Sequence, residues 1–260
     1  MRVLLAARYT VRQVQMGGVQ SWIESVTAPM RAQGHEVVTW GRGEATPSER
    51  FELGILAHWC ETGHLAAICD RTVCVSHGPI EPERPGPADR VVFTSEGVRD
   101  HWNGEGDIVR QPIDLEFWSP APARRVYLTR HSYRNGLVFV PRLASDLNLK
   151  FKHVSRASYR QVREALRESA VVLATGRAAL EAMACDVPVV ICDHRHQYQD
   201  ALLDPDTRGA MTRNYSGRGG VTPTIENVRA AACEAMKVGG LRAHVRQHHD
   251  AAQIAAQLLA

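Results

Sequence analysis

The chain lacks any apolar run near the roughly 20 residues that a helix needs to cross a bilayer. Its first residues, MRVLLAARYT, carry an apolar stretch of only about five and no small-residue cleavage site, so they read as an opening strand and not as a secretory leader. A cytoplasmic protein is the expectation. Paired cysteines are missing too. Cys60, Cys69, Cys74, Cys185, Cys192 and Cys233 never fall in C-x-x-C spacing and mostly have apolar neighbours, which points to buried thiols and away from a disulfide framework. The 12 histidines include the runs DHRHQY and RQHHD, yet no paired ligand spacing occurs and no metal site is expected. Lysine is absent from residues 1–120, where 11 arginines face 16 carboxylates for a net charge of −5. Residues 121–260 reverse this, with 20 basic against 12 acidic residues, a net of +8. The second half suits anions, whether nucleotide phosphates or a nucleic-acid backbone; a solvated basic face is the plainer alternative.

With 44% hydrophobic and 23% charged residues, what is present is a globular composition, neither fibrous nor disordered. A length of 260 residues suits two compact domains of roughly 120 residues each. RVLLAA (2–7), EVVTW (36–40), FELGILA (51–57), RTVCVSH (71–77) and RVVFTS (90–95) are short apolar runs. Their helix-sized or loop-sized spacers give the rhythm of an open parallel sheet. Val19, Trp22, Ile23, Val26 and Met30 recur at three and four, which predicts a helix with one buried face, ended by Gly34 in the left-handed conformation. Two prolines among small residues at 119–123 break the pattern, and the domain boundary is placed there, giving domains 1–120 and 121–260. The alternation restarts with RVYLTR (125–130), LVFVP (137–141), LKFKHV (149–154), a helix over 159–168, SAVVLAT (169–175), the GRAALEAMAC helix and VPVVICD (187–193). A polar, irregular stretch to about 222 precedes closing helices over 225–260, the last of them free to pack back on the first domain. The fold class expected is α/β, two Rossmann-like domains facing a cleft, with functional residues just beyond the carboxyl ends of strands.

Four places meet that condition. After SAVVLAT, Thr175 and Gly176 lead into a helix whose first N–H groups, backed by the helix dipole, form an anion site. Arg177 adds a fixed charge there, and Glu181, one turn on, can accept hydrogen bonds from the vicinal hydroxyls of a ribose. A solvated first-turn glutamate that merely complements the dipole is the alternative. In RHSYRNG (130–136), Arg130 and Arg134 follow a strand, and such a pair can clamp a pyrophosphate. Gly17 and Gly18 open the long helix of the first half, where they permit close backbone approach or serve a tight turn. His77, in SHG after the fourth strand, can hydrogen-bond a sugar hydroxyl or accept a proton; a core or surface histidine is the competing reading.

MGGVQSWIESVTAPMRAQGHEV, VVFTSEGVRDHW, RQPIDLEFWSP and GRAALEAMACDVPVV, in this order, resemble the family-4 type of GT-B glycosyltransferases across nearly the whole chain, in a shortened form. The resemblance implies a nucleotide-diphosphate sugar held mainly by the C-terminal domain and an acceptor held mainly by the N-terminal one. It also implies transfer that usually retains anomeric configuration, and no metal. Carried over, Glu181 matches the acid that holds the donor ribose, Arg130 and Arg134 the basic pair on the diphosphate, and His77 a histidine near the transferred sugar. Leu173 stands where the family commonly has a second glutamate, ATGR replaces the usual acid and glycine-rich run, and Arg134 replaces a lysine. These departures bear on which sugar is held and on retention against inversion.

The expectation is a hexosyltransferase acting from a donor of UDP or GDP type, with no cofactor beyond that substrate. Arg130, Arg134, Arg177 and the helix N-terminus would neutralise the departing diphosphate, with His77 orienting the acceptor. A UDP-sugar epimerase and a non-catalytic nucleotide- or nucleic-acid-binding module are the alternatives. The acceptor stays open among small molecules, glycans and hydroxymethylated DNA.

Overall fold

The computed structural model describes residues 1–8, 18–121, 125–131, 137–155, 157–192, 207–238 and 241–260. It divides into two compact units, one formed by Met1–Asp114 with His249–Ala260, the other by Leu115–His248. Both are built on parallel sheets. The contact boundary falls ahead of the prolines at 119–123 chosen from the sequence. Arg242 explains why: its guanidinium donates to the carbonyls of Leu115 (2.8 Å) and Trp118 (2.6 Å), and Arg167 holds the Ser119 carbonyl at 2.7 Å. These bonds tie residues 115–119 to the second unit before the prolines are reached.

The first unit contains β1 (Arg2–Ala7), α1 (Gly18–Ala32), β2 (Glu36–Gly41), β3 (Leu53–Ala57), α2 (Trp59–Thr62), β4 (Thr72–Ser76), β5 (Arg90–Phe93), α3 (Glu96–His101) and β6 (Asp107–Ile108). Its six strands run in the order β2-β1-β3-β4-β5-β6, all parallel. The two-residue period decides the packing. Val3, Leu5 and Ala7 join Ile55, Val75 and Val92 on one face, against Trp22, Ile23, Val26 and Met30 of α1. Leu4 and Ala6 lie opposite with Trp40, Leu56 and Leu65. A parallel sheet buried on both faces requires such continuous apolar runs. Gly34 ends α1 at φ 85°, a conformation that favours glycine.

In the second unit β7 (Tyr127–His131), α4 (Val140–Asp146), β8 (Lys150–Val154), α5 (Tyr159–Arg167), β9 (Ser169–Ala174), α6 (Arg177–Ala184) and β10 (Val189–Ile191) alternate. They are followed by α7 (Thr207–Thr212), α8 (Ile225–Val238) and α9 (Arg242–His249). The closing helix α10 (Ala251–Leu259) lies with the first unit, packed on α1. The four strands run β10-β9-β7-β8, all parallel. One face of this sheet, with Leu128, Val171, Leu173 and Val190, packs on α4 and α8.

Two expectations are corrected here. LVFVP is not a strand: Leu137–Phe139 form a turn and α4 starts at Val140. Pro141 lies in the first helical turn, where its missing N–H costs nothing, and Leu137, Val140, Leu143 and Ala144 recur as a helix face while Val138 is 94% exposed. Within the stretch read as irregular up to 222, the short helix α7 forms. Cys69, Cys74, Cys185 and Cys192 are buried, whereas Cys60 is exposed. No helix among the described residues is long and apolar enough to cross a membrane.

Candidate functional site

In the second unit the chain goes from β7 to β8 on one side and then to β9 on the other. This reversal creates the switch point where ligands of open parallel sheets bind, beyond the carboxyl ends of β7 and β9. Arg130 pairs in register with Leu173, so the end of β7 adjoins the segment leading through Thr175 to Gly176. Gly176 caps α6 at φ 57°, ψ −134°, a region that a side chain with Cβ enters only under strain.

The opening turn of α6 differs from expectation in one respect. The Gly176 N–H donates to the carbonyl of Tyr215 at 2.8 Å and is therefore committed. The Arg177 and Ala178 N–H groups belong to the first helical turn, which no carbonyl within the helix serves. One turn on, Glu181 is buried at 5% exposure, and its Oε1 accepts from Arg177 Nε at 3.1 Å. Burial pushes the Glu181 carboxyl up to about 7, although the adjacent Arg177 pulls it down. The acid is thus turned inward and poised near neutrality, which the solvated-glutamate reading does not fit.

Arg130 is buried at 4% exposure at the end of β7, Thr175 and Gly176 are half-buried, and the Arg177 side chain is buried. The structure brings Arg130, Thr175, Gly176, Arg177 and Glu181 to one switch point. Arg134 lies outside the described residues, as does Gly17. Gly18 is the exposed first residue of α1, and a Cβ built on it meets nothing within 4 Å among the described residues.

His77 belongs to the first unit, at the carboxyl end of β4, where it is buried at 8% exposure. Its main-chain N–H donates to Glu83 Oε2 (3.3 Å), its carbonyl accepts from Thr94 Oγ1 (3.2 Å), and its ring meets Trp22 in a T-shaped contact at 5.1 Å. The other Glu83 oxygen, Oε1, pairs with His58 Nε2 at 3.1 Å, and His58 Nδ1 accepts from the Arg8 main-chain N–H at 3.3 Å. Burial alone would raise the Glu83 carboxyl, but the His58 hydrogen bond and the neighbouring His77 and His58 imidazoles hold it below the usual carboxylate range. His58 itself is left-handed at φ 57°, an uncommon conformation for a residue with a Cβ.

No protein-family model matches the chain, and no curated protein does. Solved structures do. Sucrose-phosphate synthase from Thermosynechococcus elongatus aligns with a TM-score of 0.61 at 12% identity, over 99% of this chain and 97% of its own. An α-glucosyltransferase in complex with UDP and a 13-mer DNA containing a HMU base aligns at 0.54 and 10% identity, over 100% and 98%. The α-glucosyltransferase with UDP and a DNA carrying a central A:G mismatch gives 0.57 at 10% identity, over the same shares. The chain has the GT-B fold.

In this GT-B chain the residues that shape α6 were not visible from its own segment. Asn214 and Tyr215 are consecutive left-handed residues at φ 54° and 53°. Tyr215 is 1% exposed, with its hydroxyl 2.7 Å from His244 Nε2, and its carbonyl holds the Gly176 N–H. At the other end of α6, Arg242 donates to the Ala184 carbonyl. Both ends of the helix are therefore gripped from outside its own sequence. Asn214 and Tyr215 fall in the stretch read from the sequence as irregular; the one signal there was an asparagine, a residue tolerant of left-handed geometry, beside an aromatic. Glu83 and His58 were missed for the same reason, since neither stands in a motif.

Proposed function

We propose that the chain transfers a sugar from a nucleoside-diphosphate sugar to a hydroxyl acceptor. The observation that carries this is the buried Arg177–Glu181 pair, one turn behind a glycine-capped helix N-terminus at the switch point of the second unit. The helix end and Arg130 supply preorganised positive potential where a departing diphosphate gains charge, an effect worth several kcal/mol in enzymes that use it. Glu181, once ionised, accepts from ribose hydroxyls. His77 is assigned to the acceptor, held by Glu83 and Thr94 through its main chain. In support, the α-glucosyltransferases of similar fold are complexes with UDP and DNA. The DNA in those complexes favours a hydroxyl on modified DNA as the acceptor.

The test is thermal stability against UDP, GDP, ADP and their sugars, followed by product analysis. One nucleotide at about 100 times its Kd is expected to add roughly 2.7 kcal/mol, and Glu181→Gln to lose most of that gain. Equal shifts in both proteins remove Glu181 from the donor site. A sugar recovered on an acceptor supports transfer, a free altered sugar supports an epimerase, and binding without turnover supports a binding module. DNA as acceptor further requires an affinity that falls linearly with the logarithm of salt concentration.

A further inference from the structure

His131, the last residue of β7, follows the buried Arg130 at the same switch point and was not among the residues expected there. Side chains alternate across a strand. Leu128 faces α4 and α8, so Thr129 and His131 face the other way. That face is identified by Ser169, whose hydroxyl donates to the Ala165 carbonyl of α5 at 2.7 Å and accepts from the Thr129 hydroxyl at 2.6 Å. Right-handed crossovers place α6 on the same face as α5, because β8-to-β9 and β9-to-β10 progress in one direction across the sheet. His131 therefore shares a face with the helix that carries Arg177 and Glu181, one step past the Arg130–Leu173 pair and level with the approach to Gly176.

Its two ring nitrogens differ. Nδ1 is sealed from solvent with no hydrogen-bond partner among the described residues, while the residue as a whole is only half-buried. Burial, with His153 adjacent, lowers the imidazole to about 4, so the ring is neutral at ordinary pH. An orphaned acceptor is a smaller loss than an orphaned N–H in the same place, since a carbonyl-like lone pair is left unmade more often than a donor. The proton accordingly resides on Nε2, which is not among the sealed, unpartnered atoms. An imidazole left with a buried unsatisfied nitrogen at a binding crevice is a stability cost retained in the fold.

We infer that His131 is a donor-site residue whose Nε2–H hydrogen-bonds an oxygen of the bound diphosphate, beside the first turn of α6. This rests on the nucleotide-sugar reading above. It adds a neutral donor to a site otherwise made of fixed charges, one that contributes to binding without further raising the positive potential.

The experiment is calorimetric titration of wild type, His131→Leu and His131→Gln with the nucleoside diphosphate that stabilises the wild type and with the corresponding nucleoside. His131→Leu removes the orphaned nitrogen, so its melting temperature is expected to hold or rise while diphosphate affinity falls about tenfold or more; nucleoside affinity should not change. His131→Gln, which keeps an N–H, is expected to recover part of the loss and stands in should the leucine variant fold poorly. Unaltered diphosphate affinity in both variants, with the wild type binding normally, overturns the role of His131 alone. An equal loss for nucleoside and diphosphate also overturns it, because the contact would then not be to phosphate. No binding of any nucleoside diphosphate by the wild type overturns the nucleotide-sugar reading itself.

Discussion

At the scale of single residues, Gly176 and Glu181 carry the sharpest expectations. Gly176→Ala forces a Cβ into φ 57°, ψ −134°, although nothing but the Asn214 carbonyl at 3.9 Å approaches that position. The cost is therefore backbone strain and not a clash, about 1–3 kcal/mol, to be read from urea unfolding. Donor affinity should fall with it, since the turn that opens α6 and positions the Arg177–Glu181 pair must move. Glu181 ties function to pH. Folding raises its carboxyl from 4.5 to about 7, so the protonated form is favoured in the fold: its contribution to stability is whole below about pH 4.5 and is lost as pH rises through 7. Glu181→Gln removes that slope, and the variant should gain on the wild type in unfolding free energy between pH 5 and pH 8. Donor binding should run the opposite way and strengthen over the same range, because an ionised carboxylate is the better acceptor for hydroxyls. A flat difference between variant and wild type across that range would show that Glu181 does not titrate there.

At the scale of elements, arginines counted from the sequence as a basic face are partly structural. Arg242 binds the carbonyls of Leu115, Trp118 and Ala184. Arg167 binds Ser119, and Arg163 lies 4.5 Å over the Phe117 ring. The PIDLEFWSP segment is thus nailed to α5, α6 and α9 by side chains whose charge said nothing of their partners. Arg242→Ala leaves three carbonyls without this donor and should cost about 2–4 kcal/mol. Arg242→Lys should recover little, because an ammonium cannot reproduce the planar fork; full recovery in a chemical melt would mean that charge alone matters there. LVFVP teaches a related point: five apolar residues fit a buried strand or the start of a helix, and only the continuation through Leu143 and Ala144 settles it.

At the scale of the whole molecule, the sequence crosses from the first unit to the second and returns at its end. Ile113 and Asp250 form a parallel bridge, with Ile113 N–H donating to the His249 carbonyl at 2.7 Å. Arg90 fixes the Gln257 carbonyl at 2.8 Å. Ile254, Ala255 and Leu258 of α10 complete the core around α1 and the first sheet. Fully burying an isoleucine and a leucine is worth about 1.5–3 kcal/mol each, a large share of what a domain has. Deleting residues 250–260 is therefore expected to unfold the first unit while the second keeps its protection in hydrogen exchange. Retained protection of α1 and β1 would show that α10 is dispensable.

What the sequence determined by itself is whatever local periodicity encodes: β1, α1, β9 and α6, the left-handed stop at Gly34, and a candidate anion site wherever a strand runs into glycine and a helix. Those features depend on neighbours within one or two turns of the chain. Only the tertiary structure decided that Tyr215 takes the Gly176 N–H, that the Arg177–Glu181 pair is buried, that Glu83 reaches His77, and that His131 shares a sheet face with α6. The Arg177–Glu181 spacing of four is itself local, but the burial of that pair, the Tyr215 carbonyl on Gly176 and the face that His131 shares with α6 depend on strand order or on a distant segment, and a contact of that kind leaves no trace in the spacing of residues along the chain.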